Sequence, residues 1–79
     1  MNFANYITVD PEVCHGKPCF KQTRVLVQTV LELLEAGVPV ETITGDDYYP
    51  QLTRQHVAAA LRYAGELMRT RDYAAQVSV

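Results

Sequence analysis

The chain has 79 residues, no tryptophan, two cysteines and a formal net charge of −2. This length leaves room for one hydrophobic core, so we expect a single small domain over residues 1–79 that self-association would help to stabilise. The slightly negative net charge excludes a protein that binds polyanions through its overall charge, because such a protein would be strongly basic. The longest apolar run, residues 57–61, is far too short to cross a membrane, and no secretory signal is visible, so we expect a cytoplasmic protein.

The two cysteines are expected to be free, because cytoplasmic thiols stay reduced. A reversible Cys14–Cys19 bridge across a turn is the alternative. Cys14, His15 and Cys19 supply only three metal ligands, at spacings unlike those of structural zinc, and His56 is the one candidate for a fourth. We therefore predict neither a metal nor another cofactor.

The N-terminal third has the pattern of a small β element over about residues 5–25. Residues 6–9 alternate and are rich in strand-forming types, and Asp10-Pro11 ends them with a turn signal. Residues 19–20 and 23–25 are short extended candidates that would return beside this first strand. None of these pieces is long enough to form a stable sheet alone.

A first helix is predicted from residue 26 or 27 to Ala36-Gly37, where glycine provides a stop. Its apolar residues recur three and four positions apart, as on one face of a helix: Val27, Val30, Leu31 and Leu34. Leu26 and Leu33 widen this stripe to one side. They are either additional core contacts or the interface of a homodimer.

A short second helix is predicted after Pro39, over residues 41–44, and a long third helix over about residues 54–70, with Thr53 as its N-cap. The third helix carries a long apolar stripe at helical spacing: Val57, Ala60, Leu61, Ala64, Leu67 and Met68. The helical unit then covers about residues 26–71, followed by a tail at 72–79. The fold class is a mainly α, three-helix, homeodomain-like helix-turn-helix domain with a short N-terminal β element.

The acidity is concentrated in residues 27–50, which contain no lysine or arginine. The third helix instead carries arginines opposite its apolar stripe, beside side chains suited to base edges and phosphates. The candidate DNA-binding residues are Thr53, Arg54, Gln55, Arg62 and Arg69. Small Ala59 within this face would let the helix enter a major groove deeply. A plain solvated face is the alternative interpretation.

No catalytic motif is complete, so the sequence does not indicate an enzyme. Lys17 follows Gly16 but lacks the remaining residues of a phosphate-binding loop. Asp46-Asp47 is a carboxylate pair in a loop, of the kind that is ordinarily solvated.

The chain resembles the bacterial and archaeal family of the domain of unknown function numbered 433 over about residues 6–66. The resemblance is carried by Ile-Thr-Val-Asp-Pro at 7–11, Gly-Lys-Pro at 16–18, Thr-Arg-Val at 23–25, the run from Val30 to Gly37, and Tyr-Pro-Gln-Leu-Thr at 49–53 with Val57 and 60–64. The family is similar to VapB-type antitoxins. The resemblance implies an antitoxin that neutralises a PIN-like ribonuclease toxin encoded by the adjacent gene and binds its own operator DNA as a dimer.

Under this resemblance, the candidate toxin-binding residues are Lys17 and Arg24 in the N-terminal loop, and Arg71 and Tyr73 in the tail. For Arg24 we favour an internal ion pair with an acid such as Asp10 or Glu35, which would lock the β element onto the helices, over phosphate binding. A stand-alone transcriptional regulator and a protein-interaction module without DNA binding are the alternative functions.

The sequence departs from the family at three positions. His15 and Gln22 stand where the family commonly has glycine, so we expect a changed or strained turn at both. Leu26 stands where the family commonly has proline.

Overall fold

The computed structural model describes residues 2–69, and its elements follow the predicted order. The mainly α domain with an N-terminal β element is confirmed: a 3-10 helix (Phe3–Asn5), β1 (Ile7–Thr8), a turn (Cys14–Gly16), β2 (Cys19–Phe20), α1 (Val27–Glu35), α2 (Val40–Ile43) and α3 (Arg54–Arg69). The predicted partner contacts Arg71 and Tyr73 and the tail 72–79 lie outside the described residues. Within 2–69, no helix has the length and apolar character that a membrane span needs.

The β element is a two-stranded antiparallel sheet that pairs Ile7 with Phe20 and Thr8 with Cys19. The chain then turns back again, and an isolated antiparallel bridge joins Cys19 to Leu26. Two strands of two residues are too short to be stable alone. They are held because Cys19 and Phe20 are completely buried and Ile7 is nearly so, which makes the β element part of the core.

Helix α1 begins after Leu26 and ends at the predicted glycine. Gly37 has a φ of 87°, and its N–H donates to the Leu34 carbonyl at 3.0 Å. The Val38 N–H donates to the Leu33 carbonyl at 3.0 Å, which completes a Schellman motif. The buried positions on the inner face are Val27 and Val30, as the periodicity predicts.

Helix α2 is a single turn that follows Pro39 and buries Ile43 completely. The connection from α2 to α3 spans residues 44–53, which is longer than the three or four residues of a helix-turn-helix turn. It is tied down by the Tyr49 N–H, which donates to the Ile43 carbonyl at 2.9 Å, and by the burial of Leu52. The homeodomain likeness therefore stays a prediction.

Helix α3 begins at Arg54, directly after Thr53, as predicted, but its cap differs in detail. The Thr53 N–H donates to His56 Nδ1 at 3.0 Å, and the Thr53 hydroxyl lies 2.9 Å from the same nitrogen rather than serving a backbone amide. His56 thus takes the role of the glutamate or glutamine in a capping box. Because a backbone N–H only donates, Nδ1 must be an unprotonated acceptor.

The buried face of α3 is rotated from the predicted stripe. Ala59 is completely buried, so the prediction that it lies on an exposed groove-facing surface is wrong. Leu61, Leu67 and Met68 were predicted within the apolar stripe, yet their exposed fractions are 55%, 42% and 64%.

Aromatic rings of the N-terminal segment explain this rotation. Phe3 packs edge-on against Tyr63 with ring centroids 5.3 Å apart. The ring of His56 contacts Tyr6 at 5.0 Å and Phe20 at 5.6 Å. These contacts cover the side of α3 that carries positions 56, 59 and 63, which a helical wheel of α3 alone does not reveal.

Candidate functional site

The N-terminal turn of α3 is linked to α2 by an exposed ion pair. Arg54 Nη1 lies 2.6 Å from Glu41 Oε1, with both side chains largely in solvent. A hydrogen bond from its own backbone N–H and the Arg54 guanidinium together hold the pKa of the Glu41 carboxyl below its usual range. Arg54, which is predicted to contact DNA, therefore already forms an ion pair with a carboxylate of the same chain.

The other two predicted DNA-binding arginines share one acid on the outer flank of α3. Glu66 Oε1 lies 3.5 Å from Arg62 Nε and 3.3 Å from Arg69 Nη1. Gln55 is exposed in the first turn of α3. The predicted DNA face is thus brought together on α3, but its three arginines each have a glutamate within ion-pair distance.

A surface depression of about 300 Å³ lies beside this turn, between α2 and α3. Arg54, Gln55 and the small residue Ala58 are among its lining residues. Its lining is completed by apolar side chains: Val40, Val57 and Leu61.

A second depression, of about 400 Å³, lies in the N-terminal loops, and we call it the N-terminal depression. It brings together Lys17 and Arg24, the two predicted toxin contacts within the described chain. Its remaining lining residues come from the same loops and the start of α1: Pro11, Glu12, Cys14, His15 and Leu26. Lys17 and Arg24 are both exposed, and neither side chain forms an ion pair with another residue in 2–69. The internal ion pair predicted between Arg24 and Asp10 or Glu35 is not among the ion pairs of residues 2–69, so that prediction is wrong.

The loops around the N-terminal depression contain strained backbone. Cys14, His15 and Gln22 have φ values of 53°, 56° and 64°, in the left-handed region that glycine adopts readily. The expected strain at His15 and Gln22 is confirmed: the turns that suit glycine persist with bulkier residues in them. For an L-residue this conformation costs about 1–2 kcal/mol.

The two cysteines are free, as predicted. The Cys14 thiol donates to the Arg24 carbonyl at 3.6 Å. Burial raises the pKa of the Cys19 thiol, and the neighbouring Cys14 raises it further, so Cys19 stays protonated. Across residues 2–69, no group of three or more His, Cys, Asp or Glu side chains is placed to hold a metal ion.

The two predicted dimer residues have different surroundings. Leu33 is partly buried and packs against the core. Leu26, which precedes α1, lines the N-terminal depression instead. Neither is among the largely exposed apolar side chains, most of which belong to α3.

These features define a small helical domain with a β hairpin that presents a basic loop surface and an apolar helix face. Residues 7–64 match the family model described as a protein of unknown function, DUF433, and the chain belongs to this family. The crystal structure of a DUF433 member from Anabaena variabilis is similar, with 31% sequence identity and a TM-score of 0.71. The match covers 78% of this chain and 59% of that chain, so this chain spans little more than half of that relative. No curated protein matches the chain.

Proposed function

We propose that the protein is an antitoxin of a type II toxin–antitoxin system, which binds and neutralises a PIN-like ribonuclease encoded by the adjacent gene. The observation that supports this proposal is the N-terminal depression. It presents Lys17 and Arg24 as exposed cations without an acidic partner in residues 2–69, whereas each arginine of α3 there lies beside a glutamate.

The charge pattern fits a partner that carries clustered carboxylates. Nucleases of the PIN-like type hold their catalytic metal through such clusters. An arginine guanidinium matches a carboxylate with two parallel hydrogen bonds, and a lysine adds a compact positive charge. Placing Lys17 and Arg24 at the nuclease centre would block the approach of RNA or compete for the metal-binding acids.

Co-expression with the product of the adjacent open reading frame tests this proposal. We expect the two proteins to co-purify and the nuclease activity to be suppressed. Arg24→Glu and Lys17→Glu each reverse a charge in the N-terminal depression, and we expect each to weaken binding at least tenfold, about 1.4 kcal/mol.

Lys21→Glu is the matched control, because Lys21 is an exposed cation of the same loop region that does not line the depression. We expect it to bind like the unaltered chain. Loss of binding in all three variants alike would point to net charge rather than to this surface. Failure to co-purify with any nuclease-like neighbour would count against the antitoxin function.

Binding of operator DNA by α3 is the second candidate function, favoured by the exposure of Thr53, Arg54 and Gln55 at the helix start. Residues at the N-terminal end of a recognition helix are those that reach base edges. In a mobility-shift assay on the upstream DNA, Gln55→Ala should reduce affinity and relax sequence preference, and Arg62→Ala should lower the salt dependence of binding. Wild-type affinity in both variants would leave a protein-interaction module without DNA binding. DNA binding with no toxin partner would indicate a stand-alone regulator.

A further inference from the structure

The outer side of α3 carries an apolar line that nothing in residues 2–69 covers. Ala58, Leu61, Gly65 and Met68 are all exposed and recur at alternating spacings of three and four residues. Leu61 and Met68 have exposed fractions of 55% and 64%, and together with the small residues between them they form a continuous exposed apolar line, of the kind that marks an interaction surface. We call these four residues the α3 seam. Their spacing is that of the a and d positions of a coiled coil.

We infer that the α3 seam packs against the α3 seam of a second copy of this chain, with the two helices antiparallel. The seam alternates small and large residues, and an antiparallel partner reverses that order. In this arrangement Leu61 faces the partner's Gly65, and Met68 faces the partner's Ala58. Every layer of the interface then combines one large and one small side chain, as close packing requires.

A parallel pair of the same helices packs poorly. It would place Leu61 against the partner's Leu61 and Met68 against the partner's Met68, which would hold the helices apart. The layers formed by Gly65 and Ala58 would then be voids, and unfilled space in an interface loses dispersion contacts. For two copies of this chain, the size pattern therefore favours the antiparallel direction over the parallel one.

The depression beside Ala58 fits this arrangement. It has a volume of about 300 Å³, an apolar side formed by Val40, Val57 and Leu61, and a polar side formed by Arg54 and Gln55. In the antiparallel register the partner's Met68 reaches this depression. Methionine suits such a site, because its unbranched side chain adapts to irregular apolar space.

The charges around the seam are compatible with a second copy. Glu41 holds Arg54 at the N-terminal end of the seam, and Glu66 lies within ion-pair distance of both flanking arginines, Arg62 and Arg69. These positive charges are thus partly compensated within each copy. Antiparallel helices also place the positive end of each helix dipole beside the negative end of the other.

The size of the contact sets the expected affinity. In this register residues 57–69 of the two α3 helices lie side by side, over about 20 Å at 1.5 Å per residue. Contact along this length buries roughly 800 Å² in total, at the weak end of specific interfaces. We therefore expect a reversible dimer with a dissociation constant in the micromolar range.

Sedimentation equilibrium on the full chain over a range of concentrations tests this dimer. Gly65→Leu replaces the small residue of two symmetric layers, so the dissociation constant should rise at least about thirtyfold. The variant should still fold, because a Cβ at position 65 meets no atom within 4 Å. The double variant Leu61→Ala/Gly65→Leu exchanges large and small within the same layers and should restore dimerisation.

Leu26→Lys is the control at the other candidate interface, in the N-terminal depression. It should leave the dimer unchanged. A monomer at all concentrations, a dimer that tolerates Gly65→Leu, or a dimer lost with Leu26→Lys alone would each overturn the inference. Retained self-association in Gly65→Leu together with lost binding to a nuclease partner would overturn it as well, since the seam would then belong to that partner.

Discussion

Gln22 stands in a turn whose backbone suits glycine, and replacing it should stabilise the protein. Its φ of 64° costs an L-residue about 1–2 kcal/mol, which glycine does not incur. Against this gain, glycine loses about 0.5–1 kcal/mol more conformational entropy on folding. The midpoints of these two ranges differ by about 0.75 kcal/mol, so we expect Gln22→Gly to raise the free energy of unfolding by about 0.5–1 kcal/mol. For a domain of this size, that corresponds to an increase in Tm of roughly 2–8 °C.

Thermal and urea unfolding followed by circular dichroism measure this change. Gln51→Gly is the matched control, because Gln51 is an exposed glutamine whose φ is not positive. It should lower stability by about 0.5–1 kcal/mol through chain entropy alone. If Gln22→Gly destabilises the protein as much as Gln51→Gly does, the strain assigned to this turn is absent.

Two further predictions concern the packing around His56. Burial lowers the pKa of His56 from its usual value of 6.5, so the ring is neutral in the folded protein at pH 7. The unfolded chain therefore takes up this proton at a higher pH than the folded protein does. The free energy of unfolding should be highest above pH 6.5 and should decrease as the pH falls through the folded-state pKa. Urea unfolding at pH 7 and pH 5 should show a drop that His56→Gln largely removes, because glutamine keeps the cap without titrating; an equal drop in both proteins would contradict this. Phe20→Ala should cost about 3–5 kcal/mol, since Phe20 is fully buried against the ring of His56, and should unfold most of the chain by far-ultraviolet circular dichroism. A cooperative transition near the wild-type Tm would contradict that placement.

Local sequence signals predicted the helices and their ends well. The end of α1 at Gly37 and the start of α3 after Thr53 depend on hydrogen bonds between residues close in the chain. The residue types at those positions therefore predict where the two helices end and begin. The return of the chain at Cys19–Phe20 was also predicted, because a turn signal lay between two short strand-like pieces.

Long-range contacts account for what the sequence missed. The buried face of α3 depends on Phe3, Tyr6 and Phe20, which are far from α3 in the chain, so Ala59 was placed on the wrong side. The cap by His56 is not evident from the sequence, because the residue three positions after the N-cap in a capping box is ordinarily glutamate or glutamine. The exposed α3 seam could have been found from the alternation of Ala58, Leu61, Gly65 and Met68. Helical periodicity alone does not reveal it, because the periodicity places Leu61 and Met68 in the buried stripe.

The measurement that tests the proposed function most directly is the binding of purified Lys17→Glu, Arg24→Glu and Lys21→Glu variants to the nuclease-like product of the adjacent gene, by isothermal titration calorimetry. Contact through the N-terminal depression predicts at least tenfold weaker binding for Lys17→Glu and Arg24→Glu, and unchanged binding for Lys21→Glu. Equal affinity in all three variants would contradict the assignment of the N-terminal depression as the toxin-binding surface.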